Sequence, residues 1–165
     1  MDSRTSAELI FDQGLGDIFS IRIAGNVLNE DILGSMEYAA KIIGSKLILV
    51  LGHTKCGAIM GACDQLELGK LTQLLHKIQP AISIETDTVS NRNSTNHEFV
   101  KNVTKLNVVN TIERIRNESP IISQLEREGI VKIVGGIYDV ETGKVNFLEI
   151  DANSILVPQA QYQES

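Results

Sequence analysis

The sequence predicts an α/β fold: a mostly parallel β-sheet with flanking helices and one antiparallel strand. Three observations carry this expectation. First, Leu47-Ile48-Leu49-Val50-Leu51 is an unbroken apolar run ending at Gly52, the pattern of a strand covered on both faces. Second, apolar residues at helical spacing alternate with such runs along the chain. Third, Ile130 to Asp139 and Val145 to Ile150 are β-rich stretches joined by Asp139-Val140-Glu141-Thr142-Gly143-Lys144, which reads as a hairpin turn and brings in the antiparallel strand. With 165 residues, 42% hydrophobic residues and a mean hydropathy of +0.01, the chain can bury a sizeable core, and residues 1–165 are expected to form a single domain.

Taken in order, the chain opens on a helix. Asp2 or Ser3 supplies the cap, Thr5 and Glu8 stand at capping-box spacing, and Gly14 and Gly16 end it. Ile18 to Ile23 alternates as a strand and closes at Ala24-Gly25-Asn26. Asn29 or Asp31 starts a helix whose Ile32, Met36, Ala39, Ala40 and Ile43 share one face up to Gly44. After the strand at Leu47, a helix is expected from Cys56 through Ala58, Ile59 and Ala62 toward Gln65. A second helix through Leu71, Leu74, Leu75 and Ile78 stops at Pro80. The polar stretch from Ser83 to Asn96 reads as an exposed loop without site chemistry. A long helix follows with Phe99, Val103, Leu106, Val109 and Ile112 on one side. Ser119-Pro120 breaks it, and a shorter helix ends at Gly129.

Composition excludes several function classes. A net charge of -6 and a pI near 5.1, without a basic run, argue against nucleic-acid binding. No apolar run reaches about 18 residues and no charged leader precedes an apolar core, so neither membrane insertion nor secretion is expected. The two cysteines, Cys56 and Cys63, lie two helical turns apart, about 10 Å, beyond bridging reach. This is the thiol usage of a reducing compartment, and a cytoplasmic location is expected.

The chemistry concentrates beyond the carboxyl end of the Leu47 strand, where parallel sheets bind ligands. There Gly52-His53-Thr54-Lys55-Cys56-Gly57-Ala58 sets an imidazole three residues before a thiol. That pair can grip one zinc ion, which accepts neutral nitrogen and anionic sulfur, yet two ligands make half a site. A hydrogen-bonded histidine beside a small buried cysteine accounts for the same residues. Cys63 reads as a small core residue, His76 and His97 as surface residues, and Arg22 as the partner of an acidic residue or as lining the site, the structural role being the expected one.

Several segments together go further. Asp2-Ser3-Arg4, Gly16-Asp17-Ile18-Phe19, Arg22 through Asn26, Ser35-Met36-Glu37-Tyr38-Ala39, Gly52 through Ala58, and Gly136-Ile137-Tyr138-Asp139 with Thr142-Gly143 resemble, in this order, the β-class carbonic anhydrases. The likeness is greatest to the bacterial branch associated with sulfate-permease-type transporters. It implies a β-carbonic anhydrase-like fold and a zinc enzyme (carbonate dehydratase, a lyase) interconverting carbon dioxide and bicarbonate as a homodimer or larger homo-oligomer. By position, His53 and Cys56 correspond to zinc ligands, Asp2 and Arg4 to the catalytic pair beside the metal, and Gly57 to a backbone donor for a bicarbonate oxygen at a helix start. Zinc with three protein ligands brings a bound water toward a neutral pKa, and a carboxylate held by Arg4 orients it.

The resemblance also implies what is different. The family pattern Cys-x-Asp-Ser-Arg supplies a thiolate two residues before the Asp, a position that Asp2 leaves outside this sequence. The strand and helices that precede the pattern in the family are likewise outside it, which reads as N-terminal truncation and predicts exposed apolar side chains from Leu47 to Leu51. Three readings stay open: a piece of a longer enzyme, a non-catalytic relative serving as a binding or assembly module, or a zinc shell completed by Asp2 or the α-amine of Met1. Ile155-Leu156-Val157 forms a short apolar run near the end, expected to pair with a sheet edge or to pack as an arm on a partner subunit.

Overall fold

The computed structural model describes residues 1–149. Strand β1 (Leu47–His53) and strand β2 (Lys132–Tyr138) pair in parallel, Leu47 opposite Lys132 and His53 opposite Tyr138. Strand β3 (Val145–Leu148) returns antiparallel to β2, Gly135 opposite Leu148 and Tyr138 opposite Val145. The sheet order is β1-β2-β3, so the expected α/β architecture with one antiparallel strand is present. The hairpin turn between β2 and β3 is tied by Asp139, whose N–H donates to the Lys144 carbonyl at 2.8 Å and whose side chain accepts from the Glu141 N–H at 2.9 Å.

Among the described residues seven α-helices accompany this sheet: α1 (Ala7–Phe11), α2 (Glu30–Glu37), α3 (Gly57–Cys63), α4 (Gly69–His76), α5 (Gln79–Ile84), α6 (His97–Glu118) and α7 (Pro120–Arg127). The 22-residue α6 starts where the Asn96 side chain accepts from the N–H groups of Glu98 and Phe99, which removes two of the orphan donors of a helix start. Its Phe99 and Val103 pack with Ile59, Leu75 and Ile78 in one cluster, while its Val108, Ile112 and Ile115 pack with Val50, Ile133, Leu28 and Ile122 in another. One helix thus ties the α3–α5 layer to the sheet. Ser119 caps α7 by accepting from the Ile122 N–H, with Pro120 in the first turn.

The sheet is covered on one face. Ile48, Val50, Ile133, Ile137 and Leu148 point toward α6 and its neighbours, and a Cβ added at Gly52 would lie 2.9 Å from Val108 and 3.4 Å from Thr104 of that helix. The opposite face carries Leu47, Leu49, Leu51, Val134, Val145 and Phe147. None of these is buried, Leu47 and Phe147 being 57% and 64% exposed. At its middle a Cβ on Gly136 would lie 3.3 Å from the side chains of Leu51 and Val145 and 3.6 Å from that of Leu49.

Four expectations require correction. The first helix begins at Ala7, not after Asp2: residues 2–5 form a turn in which the Asp2 carboxylate accepts from the Arg4 N–H at 2.9 Å, so the side chain caps a turn instead of a helix. Ile18–Ile23 is not a strand, because a strand exists only against a ladder partner and nothing among the described residues pairs with it; Phe19 and Ile21 are 55% and 40% exposed. The helix after Asn29 widens to a π-helical turn over Tyr38–Ile43 before Gly44 takes the left-handed conformation, and this change of phase buries Ala39 and Ala40 but leaves Ile43 exposed. Pro80 does not end a helix; it sits in the first turn of α5, where its missing N–H costs nothing. Ile150, expected to extend β3, and Ile155-Leu156-Val157 lie outside the described residues.

The stretch from Ser83 to Asn96, expected to be an exposed loop, instead continues α5 to Ile84 and then forms an internally tied loop that buries Glu85. The Glu85 side chain accepts from Thr88, Arg92 and Asn102, and Arg92 lies 4.7 Å from the centre of the Phe99 ring. No helix among the described residues is long and apolar enough to cross a membrane.

Candidate active site

The carboxyl end of β1 positions the site. His53 is its last residue, Lys55 turns the chain with a positive φ of 54°, and Cys56 enters α3 from an extended backbone conformation. This sharp exit places the Cys56 thiol at the start of α3, three residues after the His53 ring, close enough for each group to shift the other's titration. The Nδ1 of His53 lies 2.9 Å from the Thr54 carbonyl, and because a carbonyl only accepts, Nδ1 carries the proton and Nε2 is left as the available donor atom. Thr54 is itself anchored: its N–H donates to the Tyr138 carbonyl at 2.9 Å and its hydroxyl accepts from the Val140 N–H at 3.1 Å.

Asp2 and Arg4 approach from the other end of the chain. Arg4 Nε donates to Asp2 Oδ1 at 2.7 Å and Arg4 Nη2 to Asp2 Oδ2 at 2.6 Å, a fork-shaped pair. Arg4 also donates to the Lys55 carbonyl at 3.3 Å, which docks the turn on the β1–α3 connection. Arg22 donates to the Asp2 carbonyl, and the Met1 amine donates to the Ile23 carbonyl at 3.2 Å. Asp2 Oδ2 then stands 3.9 Å from His53 Nε2. Residues 51 positions apart in sequence therefore face one another across the site.

The electrostatics follow from these contacts. The hydrogen bonds from Arg4 hold the Asp2 carboxyl well below the usual carboxylate range. Burial opposes the charged form of both His53 and Cys56. Their mutual contact outweighs it: the His53 pKa is raised, and the Cys56 pKa is lowered with further help from the N–H groups of Ile59 and Ala58. Cys63, by contrast, is buried in the α3–α6 cluster, and burial pushes its thiol up to about 11. It is a core residue, while His76 and His97 are exposed, as expected.

The donor chemistry of His53 and Cys56 suits zinc, but the count does not close a site. Among the described residues, no three His, Cys, Asp or Glu side chains are arranged to hold a metal ion. Two ligands of a tetrahedral zinc with bonds of about 2.0–2.1 Å stand about 3.3 Å apart. Asp2 Oδ2, at 3.9 Å from His53 Nε2, is outside that spacing and held by Arg4. Gly57 is exposed at the start of α3, with nothing within 4 Å of a Cβ built on it. A cleft of about 550 Å³ lined by Phe19, Ile21, Asp31 and Tyr38 shares no lining residue with this constellation.

The groups that hold the site in shape lie outside the sequence motifs. Asn107 on α6 donates to the Gly25 carbonyl at 2.7 Å, and Thr111 to the Asn26 carbonyl at 3.2 Å. Their signal was available: Thr104, Asn107 and Thr111 are polar residues recurring at helical spacing on a buried side of α6, where a polar side chain needs a partner.

The family described as carbonic anhydrase matches residues 1–145. Carbonic anhydrase of Mycolicibacterium smegmatis is 34% identical over 149 residues, covering 87% of this chain and 69% of that protein. Carbonic anhydrase 2 of Mycobacterium tuberculosis is 34% identical over 148 residues, covering 87% and 68%. Among solved structures, the β-carbonic anhydrase CcaA superposes with a TM-score of 0.78 at 24% identity over 90% of this chain and 75% of the other. A tetrameric β-carbonic anhydrase of Sordaria macrospora does so with 0.77 at 24% identity over 90% and 77%. The ordered motifs, the strand exit that joins His53 to Cys56 and the extent of these matches lead to one conclusion: the chain belongs to the β-carbonic anhydrase family.

Proposed function

We propose that this chain interconverts carbon dioxide and bicarbonate, with His53 and Cys56 as two protein ligands of a zinc ion and Asp2–Arg4 as the catalytic pair. The observation that carries the reading is the approach of the Asp2 carboxylate to within 3.9 Å of His53 Nε2 while Arg4 grips it from behind. When bound, zinc supplies a Lewis acid that makes water acidic near neutral pH.

The chain's own residues supply the rest. Arg4 keeps Asp2 ionised and its carboxylate fixed, so that Asp2 accepts a hydrogen bond from the attacking water and orients it. The Thr54 carbonyl keeps the His53 proton on Nδ1 and leaves Nε2 for the metal. The exposed N–H at Gly57 is offered to a substrate oxygen. The reading includes a homodimer or larger assembly, as in the Sordaria macrospora protein described as tetrameric, and a cytoplasmic location in keeping with two free thiols.

A second reading, a non-catalytic binding or assembly module, is favoured by the missing third donor among the described residues. It also implies that any hydration activity is impaired. Metal analysis with stopped-flow carbon dioxide hydration separates the two. Stoichiometric zinc with a rate above buffer supports the enzyme. Less than about a tenth of an equivalent of zinc, with no rate above buffer, supports the module.

A further inference from the structure

The β2–β3 hairpin grips the β1–α3 connection at two adjoining residues. The Thr54 N–H donates to the Tyr138 carbonyl at 2.9 Å, and the Thr54 hydroxyl accepts from the Val140 N–H at 3.1 Å. One residue on, Lys55 Nζ donates to Glu141 Oε1 at 2.5 Å. The turn that supplies these partners is closed by Asp139, whose carboxylate accepts from the N–H groups of Glu141 and Thr142 at 2.9 and 3.3 Å and whose carbonyl accepts from the Gly143 N–H at 2.8 Å.

These contacts leave one polar group of Thr54, its carbonyl, which meets His53 Nδ1 at 2.9 Å. With the N–H and the side chain both tied to the hairpin, the carbonyl has little freedom to swing. The connection does not hold itself: Lys55 follows with a φ of 54°, a left-handed conformation that is unfavourable for a residue with a Cβ. The two ties differ in strength. The side chains of Lys55 and Glu141 are 54% and 66% exposed, where water screens an ion pair to little net value. Thr54 and Val140 are half-buried, and losing the hydroxyl leaves the Val140 N–H short of its acceptor. The direction of the Thr54 carbonyl then decides the imidazole, because a neutral ring places its proton on the nitrogen that faces an acceptor.

We propose that the Thr54 hydroxyl is a positioning group for the site: held by Val140, it aims the Thr54 carbonyl at His53 Nδ1 and keeps Nε2 free of a proton. Its bearing on carbon dioxide hydration rests on the reading of His53 as a zinc ligand; its hold on the ring does not. The test is nitrogen-15 NMR of the histidine rings in the metal-free chain, at a pH where they are neutral, for the parent and the Thr54→Val, Thr54→Ser and Glu141→Gln chains. His76 and His97, both exposed, serve as internal references. In the parent and in Thr54→Ser, His53 Nδ1 is expected to give the signal of a protonated nitrogen and Nε2 that of a bare one. In Thr54→Val the two signals move toward each other as the tautomers mix, and zinc affinity, read by competition with a chelating dye, falls about tenfold. A bare Nδ1 in the parent overturns the proposal without any variant, so a Thr54→Val chain that fails to fold does not protect it. Parent-like signals or parent-like zinc affinity in Thr54→Val overturn it, as does an equal effect of Glu141→Gln, which loosens the turn but keeps the hydroxyl. If the parent takes up no zinc, the reading of His53 as a ligand fails, and the nitrogen signals alone decide the proposal.

Discussion

Asp2 and Arg4 form a closed ring of contacts two residues apart: the Arg4 N–H and Nε both reach Asp2 Oδ1, at 2.9 and 2.7 Å, and Nη2 reaches Oδ2 at 2.6 Å. The carboxylate is thereby fixed in charge and direction before any ligand arrives.

Arg4→Ala tests that relationship. The Asp2 pKa, now held low, rises toward the ordinary carboxylate value of about 3.9, and carboxyl NMR titration reads the change directly. Because the folded pKa is the lowered one, the pair's contribution to stability is present above the unfolded pKa and fades as pH falls through the folded one, so the variant loses this part of its acid dependence. If the chain hydrates carbon dioxide, the rate drops by about 10–100-fold and its pH profile moves. An unchanged titration, rate and profile would remove Asp2–Arg4 from the mechanism.

Cys56→Ser removes the thiol beside His53 while keeping a hydroxyl of similar size. Zinc affinity, read by competition with a chelating dye, is expected to fall by more than about a hundredfold. Cys63→Ser is the control, since that thiol is buried among Ile59, Phe99 and their neighbours, and it leaves the zinc affinity unchanged. Equal effects from both substitutions would mean that neither acts as a ligand.

Gly52→Ala pushes a methyl group to 2.9 Å from Val108 Cγ2 and 3.0 Å from Ile137 Cδ1. Since β1 and α6 must part to admit it, the cost is about 1–3 kcal/mol in urea unfolding, and the adjacent His53 shifts with the strand. A variant as stable as the parent would show that the strand–helix contact is looser than these distances indicate.

Glu85→Gln removes a charge whose side chain is 1% exposed and which Arg92 and Thr88 satisfy. Burial opposes that charge, yet the hydrogen bonds from Thr88, Asn102 and Arg92 outweigh it and lower the pKa. Stability from this carboxylate is therefore present above about pH 4.3 and lost as pH falls through the lowered folded value. The substitution costs about 1–3 kcal/mol at pH 7 and flattens the acid limb of a stability–pH curve; an unchanged limb would assign the acid sensitivity elsewhere.

What could be read from the residues follows from how local each feature is. β1, β2, the hairpin and α6 carry their own signatures in apolar runs, turn residues and caps. The proximity of His53 and Cys56 follows from four residues of chain. Ile18–Ile23 has the alternation of a strand, but a strand is a property of two partners and alternation reports only one. The π-helical turn at Tyr38–Ile43 changes the face that Ile43 occupies, and no residue there announces it. The hold of Arg22 on the Asp2 carbonyl and of Asn107 on the Gly25 carbonyl joins distant segments. Such contacts exist only once the topology has brought those segments together.

The anchoring of Thr54 by the Val140 N–H, across 86 residues of chain, determines when the site comes into being. Closing a loop of that length costs about 4 kcal/mol of chain entropy, and contacts so far apart in sequence form slowly. His53 and Cys56 neighbour each other from the start, but the carbonyl that orients the imidazole is secured only after α3 to α7 have been laid down and β2 has docked. The site is therefore a late product of folding, and the first to loosen when the hairpin comes away.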